Sequence, residues 1–220
     1  MLINADLTQR AVVATEELPW VDSPMPGVAR KMLERDGGEV ARATSLVRYA
    51  AASRFERHAH GGGEEILVLD GMFSDELGDY PAGTYLRNPP GSSHAPFSKD
   101  GCTLFVKLRQ FAADDGARIV VDTKKAAWQG GKTDAYDEML LHQHGAERIY
   151  LIKWHAGKSF PRHIHRGGEE LFILAGTYAD EHGTYPKGTW VRAPVGSSHA
   201  PLPTGGALFY AKLGHLPAAG

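Results

Sequence analysis

The sequence predicts an all-β protein made of two copies of one small sandwich or barrel. Three observations carry this. His58–Leu108 aligns with His163–Leu213 at a constant offset of 105, without a gap, and 26 of the 51 positions are identical. Runs rich in β-branched and aromatic residues recur in each copy, punctuated by Gly or Pro every 8–12 residues. The chain holds 26 glycines and 13 prolines in 220 residues, well above background, as a protein with many turns requires.

Each element follows in order. Val12, Val13, Thr15 and Trp20 match Val120, Val121, Thr123 and Trp128 at an offset of 108, so the copies extend over roughly 10–111 and 118–216. The three-residue difference falls between Trp20 and Glu39, where Pro24-Met25-Pro26-Gly27 and Gly37-Gly38 mark loops. Val28–Asp36 follows Pro26-Gly27, ends at Gly37 and predicts a helix. Thr44–Ala50, Glu65–Leu69 and Cys102–Leu108 predict strands. Ala112–Ala117 predicts a linker, which divides the chain into domains 1–111 and 112–220. Thr133–His144 is a second, weaker helical segment, followed by predicted strands at Arg148–Trp154, Glu170–Leu174 and Ala207–Leu213.

Composition narrows the function. Hydrophobic residues at 42% and charged residues at 23% exclude a disordered or collagenous chain. A net charge of −2 offers no field for nucleic acid or anionic lipid, so neither is an expected partner. One cysteine excludes a disulfide framework and a Cys-based zinc ribbon, and points to a reducing compartment. No apolar run approaches the roughly 18 residues of a membrane span, and Met1–Arg10 has no basic-then-apolar leader pattern. The expected location is the cytoplasm. The unusual count is histidine, with 11 residues.

Six of those histidines form a pattern with two glutamates. His58 and His60 are two apart, which on a strand puts both imidazoles on one face. A hairpin through Gly61-Gly62-Gly63 would bring Glu64 beside them. Gly91-Ser92-Ser93 reads as a turn that aims His94 inward. The second copy repeats every part: His163, His165, Glu169, and His199 after Gly196-Ser197-Ser198. Three imidazoles and one carboxylate suit a divalent first-row metal, one per domain, with Zn, Fe, Mn and Ni all open. A four-coordinate zinc would be closed, whereas a six-coordinate ion would keep two free positions. With one carboxylate the centre keeps a charge of about +1, which favours an anionic, chelating small molecule.

The remaining matched residues read more plainly. Glu65 and Glu170 alternate away from the ligand glutamates. The pairs Tyr85/Trp190, Phe73/Tyr178 and Tyr49/Trp154 read as core packing rather than pocket lining. Arg87 and Arg192 would either face the cavity or pair with an acidic residue such as Asp75 or Asp180. Cys102 reads as a buried small hydrophobe. His142-x-His144 lacks the downstream Gly, Glu and His and reads as surface or loop; His155, His182 and His215 read as solvent-facing.

These motifs resemble those of the cupins. The family pattern is Gly, five residues, His-x-His, three or four residues, Glu, six residues, Gly; then Gly, five residues, Pro-x-Gly, two residues, His. Copy two fits in full with Gly157, His163, His165, Glu169, Gly176, Gly188, Pro194, Gly196 and His199. Copy one fits with Ala52 in place of the first Gly. An Asn that often ends the second motif is replaced by Ser98 and Pro203. The resemblance covers nearly the whole chain and implies two tandem cupin domains, each a double-stranded β-helix or jelly roll.

The strings from His58 to Pro96 and from His163 to Pro201 look like the cupin domain of ChrR-type anti-sigma factors, a metal-binding module used in a stress response. In that family a separate helical domain binds the sigma factor through zinc held by His and a Cys-x-x-Cys. This chain has one cysteine and about nine residues before the first repeat, so direct sigma-factor binding is not expected. The likeness implies a metal-dependent sensor. Cupin relatives that cleave flavonols use three His and one Glu, which keeps a metal-dependent dioxygenase acting on an enolic or carboxylate substrate as the alternative. A purely structural zinc is the third reading, and a homodimer stays open.

Overall fold

The computed structural model describes residues 1–217. Its elements are antiparallel strands, with no α-helix among the described residues and one 3-10 turn at Thr15–Glu17. Among those residues no helix is long and apolar enough to cross a membrane.

The chain divides into two compact units, and the boundaries do not follow the repeat. One unit holds Met1–Ala5 and Leu18–Ala126; the other holds Asp6–Glu17 and Ala127–Gly220, described to residue 217. The division therefore differs from the sequence boundary at 111/112 in two strands. Ala11–Ala14 pairs with Thr189–Ala193, and Ile119–Asp122 pairs with Thr84–Asn88. The reason is edge satisfaction. Each 84–88-type strand already pairs on one side, and its other row of N–H and C=O groups needs a partner. The first strand of the opposite repeat supplies it in matching register, Ala11 across from Arg192 and Ile119 across from Arg87.

In the N-terminal unit the main sheet runs Leu2–Ile3, Val28–Gly37, Ala41–Tyr49, Cys102–Leu108, Glu64–Asp75, Thr84–Asn88, Ile119–Asp122. A separate two-stranded ladder joins His58–Ala59 to Ser93–His94. The C-terminal unit repeats this with Gln129–Gly130, Tyr136–His144, Glu147–Trp154, Ala207–Leu213, Glu169–Asp180, Thr189–Ala193 and Ala11–Ala14, and a ladder of His163–Ile164 with Ser198–His199. Alternation along the long strands gives each unit an apolar interior. Ile66, Val68, Phe73, Leu104 and Val106 fill one, and Leu171, Ile173, Tyr178, Phe209 and Ala211 fill the other.

Two expected helices are strands. Val28–Gly37 pairs with Ala41–Tyr49 at nine positions, and Tyr136–His144 pairs with Glu147–Trp154 at eight. Both carry a bulge, at Leu33 and at Leu141, where the register slips by one residue. A bulge breaks strict alternation, so consecutive residues are buried and the pattern imitates a helical face. Leu33, Glu34 and Arg35 are all buried, as are Leu141 and His142. The offset change also lies here. The first hairpin has one more ladder pair and a three-residue loop, 38–40, against two residues, 145–146, in the second.

Candidate metal centre

Each two-stranded ladder sets two histidines face to face. His58 pairs across from His94, and His163 across from His199. This corrects the expected hairpin, since the Glu64 strand pairs with Thr84–Asn88 and Cys102–Leu108 and not with His58. The third histidine follows two residues on, turned inward by the bond from the His60 backbone N–H to Ser92 O, 2.9 Å, and its repeat from His165 to Ser197 O, 2.9 Å. Glu64 and Glu169 arrive from the first residue of the long strands, both buried.

In the N-terminal unit His58, His60, Glu64 and His94 each offer one ligand atom, and all four atoms lie within 4.8 Å of one another. Glu64 Oε2 is 3.3 Å from His60 Nε2 and 3.4 Å from His94 Nε2. In the C-terminal unit the group within that limit is His163, His165 and His199. Glu169 Oε2 stands beside two of those rings, 3.6 Å from His165 and 3.7 Å from His199.

The hydrogen bonds behind the rings fix their tautomers. His58 Nδ1 faces the Glu56 carbonyl at 3.0 Å and His163 Nδ1 the Pro161 carbonyl at 3.1 Å; a carbonyl only accepts, so both Nδ1 atoms carry the proton. His94 Nδ1–H donates to Asp75 Oδ2 at 3.1 Å, and His199 Nδ1–H to Asp180 Oδ2 at 2.9 Å. Ser92 Oγ donates to Pro89 O at 2.6 Å, so it accepts from His60 Nδ1–H at 3.0 Å. In each case Nε2 is turned to the centre, where the Nε2 atoms of His163 and His199 lie 3.2 Å apart and share a hydrogen bond. This is the arrangement that orients metal-ligating imidazoles. Asp75 and Asp180 also accept from Tyr80 and Tyr185 hydroxyls, at 2.9 and 2.8 Å. The sequence offers these aspartates only as possible arginine partners and does not show this role. Their identity at offset 105 together with the tyrosines was the available signal.

Nε2 of His60, His94 and His165 is buried and makes no hydrogen bond. A buried polar atom left unmet costs roughly 1–3 kcal/mol. One cation in each centre would satisfy the lone pairs there, His60 and His94 in one and His165 in the other, so the residues fit a divalent ion. Burial lowers the proton affinity of His60 and His163 and takes His165 down to about 3. Burial also pushes Glu169 up to about 7. Burial acts most strongly against charge on His199, but its bond to Asp180 and the negative charges of Glu169 and Asp180 together outweigh this, and its pKa is raised.

A cavity opens beside each centre. The N-terminal one is about 410 Å³, lined by His58, His60 and Glu64 and walled by Met25, Tyr49, Phe55, Ile66, Phe73 and Val106. The C-terminal one is about 510 Å³, lined by the three histidines and Glu169 and walled by Tyr136, Trp154, Phe160, Tyr178, Phe209 and Leu213. The three aromatic pairs are all buried, yet Tyr49/Trp154 and Phe73/Tyr178 also line cavities, and only Tyr85/Trp190 is core alone. Exposed cations stand on both linings, Arg109 in the first, Lys132 and Arg166 in the second.

Arg87 does not face the cavity. It is fully buried and donates to Glu65 at 3.1 Å and Asp115 at 2.5 Å. Arg192 is also fully buried and donates to Asp6 O at 2.8 Å, while Glu170 accepts from the Trp190 indole at 2.6 Å. Cys102 is buried. His155 is half-exposed beside Asp137, and His182 is exposed. His142 is buried, turned in by the bulge beside it, and the His215 side chain is buried 3.3 Å from Glu170; both were expected outside.

Duplicated double-stranded β-helices, each gathering histidines at one end of its interior, define a two-domain cupin. The chain belongs to the family described as the ChrR Cupin-like domain, whose profile matches it twice, at residues 8–112 and 116–217. Comparison with curated proteins gave no match. Among solved structures, a candidate dioxygenase from Nostoc punctiforme shares 16% identity at a TM-score of 0.79, covering 94% of this chain and 82% of its own. Ylba from E. coli shares 15% at 0.74, covering 98% and 95%. An oxalate decarboxylase from Lactobacillus farciminis shares 11% at 0.63, covering 94% and 86%. At these identities the likeness is one of fold.

Proposed function

We propose that each unit holds one divalent first-row metal, through His58, His60, Glu64 and His94 in one and His163, His165, His199 and Glu169 in the other. The loaded centre takes a small anionic, chelating molecule and serves as a metal-dependent sensing module, in keeping with the ChrR family. The observation that carries this reading is the set of buried Nε2 atoms of His60, His94 and His165, which make no hydrogen bond and each face a glutamate carboxylate. A bound ion would supply Lewis-acid polarisation of the ligand's oxygens. The chain's residues do the rest. Asp75 and Asp180 hold two ring orientations, the aromatic and aliphatic walls exclude water and fit an apolar body, and Arg109, Lys132 and Arg166 favour a negative head.

The cavities favour a second reading, a metal-dependent dioxygenase, over a closed structural zinc, which needs no space beside it. Oxygen uptake by the metal-loaded protein, screened with enolate and carboxylate compounds, separates the two. Binding that shifts the melting temperature without oxygen uptake supports the sensor. Substrate-dependent uptake, abolished in His94→Ala and His199→Ala together, supports the enzyme. Metal removal that only lowers the melting temperature, with no compound bound, contradicts both.

A further inference from the structure

We infer that the two centres are unequal in metal affinity, the N-terminal one being tighter, and that Asn88 and Ser92 are the positioning residues that make it so. The inference rests on the metal-centre reading above and goes beyond it, because the repeat alone predicts two equal sites.

Two independent differences stand behind the ligands. Asn88 lies directly across the ladder from Glu64, is buried, and donates its Nδ2–H to Glu64 Oε2 at 3.0 Å. That is the oxygen that faces His60 and His94. The residue across from Glu169 is Ala193, which has no donor. Behind His60, Ser92 bridges the ring to Pro89 O. The matching Ser197 Oγ is buried and has no hydrogen-bond partner, so it holds neither His165 nor Pro194.

The ligand geometry follows these supports. With both present, all four ligand atoms fall within one 4.8 Å group; with both absent, the carboxylate falls outside the corresponding group and only the three imidazoles remain. Coordination loses less freedom when the carboxylate and ring are already held in place. Partners of this kind are worth about 10- to 100-fold in metal affinity. Asn88 and Ser92 touch ligands rather than the ion, so they act through Glu64 and His60.

The test is calorimetric titration of the metal-free full chain with Zn²⁺, and with Co²⁺ while recording its visible spectrum. Two phases are expected, with Kd values separated by about tenfold or more. His94→Ala should remove the tighter phase and His199→Ala the weaker. Asn88→Ala and Ser92→Ala should each weaken only the tighter phase and leave the weaker phase where it was. The Co²⁺ spectrum of that phase in Asn88→Ala should approach that of the C-terminal centre. Ala193→Asn should tighten the weaker phase, and if that variant does not fold the other two still decide. Two phases of equal Kd, or an Asn88→Ala protein that keeps its tight phase, would overturn the inference while leaving the metal reading intact. No binding of either ion would overturn the metal reading and the inference with it.

Discussion

Ala52 occupies a left-handed backbone position, φ 60°, where the matching Gly157 has φ 72°. A Cβ in that region strains the chain by roughly 1–3 kcal/mol, so the one departure from the motif is a place where copy one carries strain. Ala52→Gly should stabilise the N-terminal unit by about 1 kcal/mol, read as a higher urea midpoint at unchanged slope; a loss of stability would contradict it. At the centres, the aspartates behind His94 and His199 set ring tautomers. Asp75→Ala should lower the metal affinity of the N-terminal centre by about 10- to 100-fold and leave the C-terminal one alone, checked by titration. Residue identity made much of this legible, because His-x-His, Glu and the later His are read directly from spacing. The aspartates were visible only as repeated letters. Their role depends on a contact across 19 residues that spacing does not encode.

At the level of elements, the long bulged strands were the part the sequence concealed. Val28–Gly37 is rich in helix formers, and its bulge at Leu33 erases the alternation that marks a strand. Pairing with Ala41–Tyr49 overrides the local preference. The short ladders were hidden for a different reason, since two-residue strands carry no periodicity. Their positions are instead set by loop bonds. Glu76 accepts from the Ala95 backbone N–H at 2.9 Å, next to His94, and Glu181 from Ala200 at 2.8 Å, next to His199. Those bonds, reinforced by Arg57 and Arg162, lower both carboxyls from 4.5 to about 2. A folded pKa below the unfolded one contributes stability above about pH 4.5, lost as pH falls toward about 2. Glu76→Gln and Glu181→Gln should each flatten the stability-versus-pH curve in that window. An unchanged slope would remove these bonds from the account.

The whole molecule is a duplication whose sequence copies and structural units differ. The chain passes from one unit to the other after residues 5, 17 and 126. Arg10 precedes the first repeat's opening strand, yet its guanidinium reaches Tyr185 Oη at 2.5 Å and Asp180 at 3.4 Å, behind His199. The equivalent Arg118 reaches Tyr80 Oη at 3.0 Å, behind Asp75 and His94. Each centre is thus braced by a segment of the other repeat. Arg10→Ala should weaken metal binding at the C-terminal centre only, and Arg118→Ala at the N-terminal centre only, measured by titration of each variant. The repeat itself was plain in the letters; the exchange was not, because matching strands compete for equivalent edges and sequence identity does not say which edge each takes.

The most direct test is metal content. Protein equilibrated with saturating divalent ion and freed of excess should carry close to two ions per chain by elemental analysis. His94→Ala and His199→Ala should each carry one. Content near zero after exposure to Fe²⁺, Mn²⁺, Ni²⁺ and Zn²⁺ in turn would contradict the account.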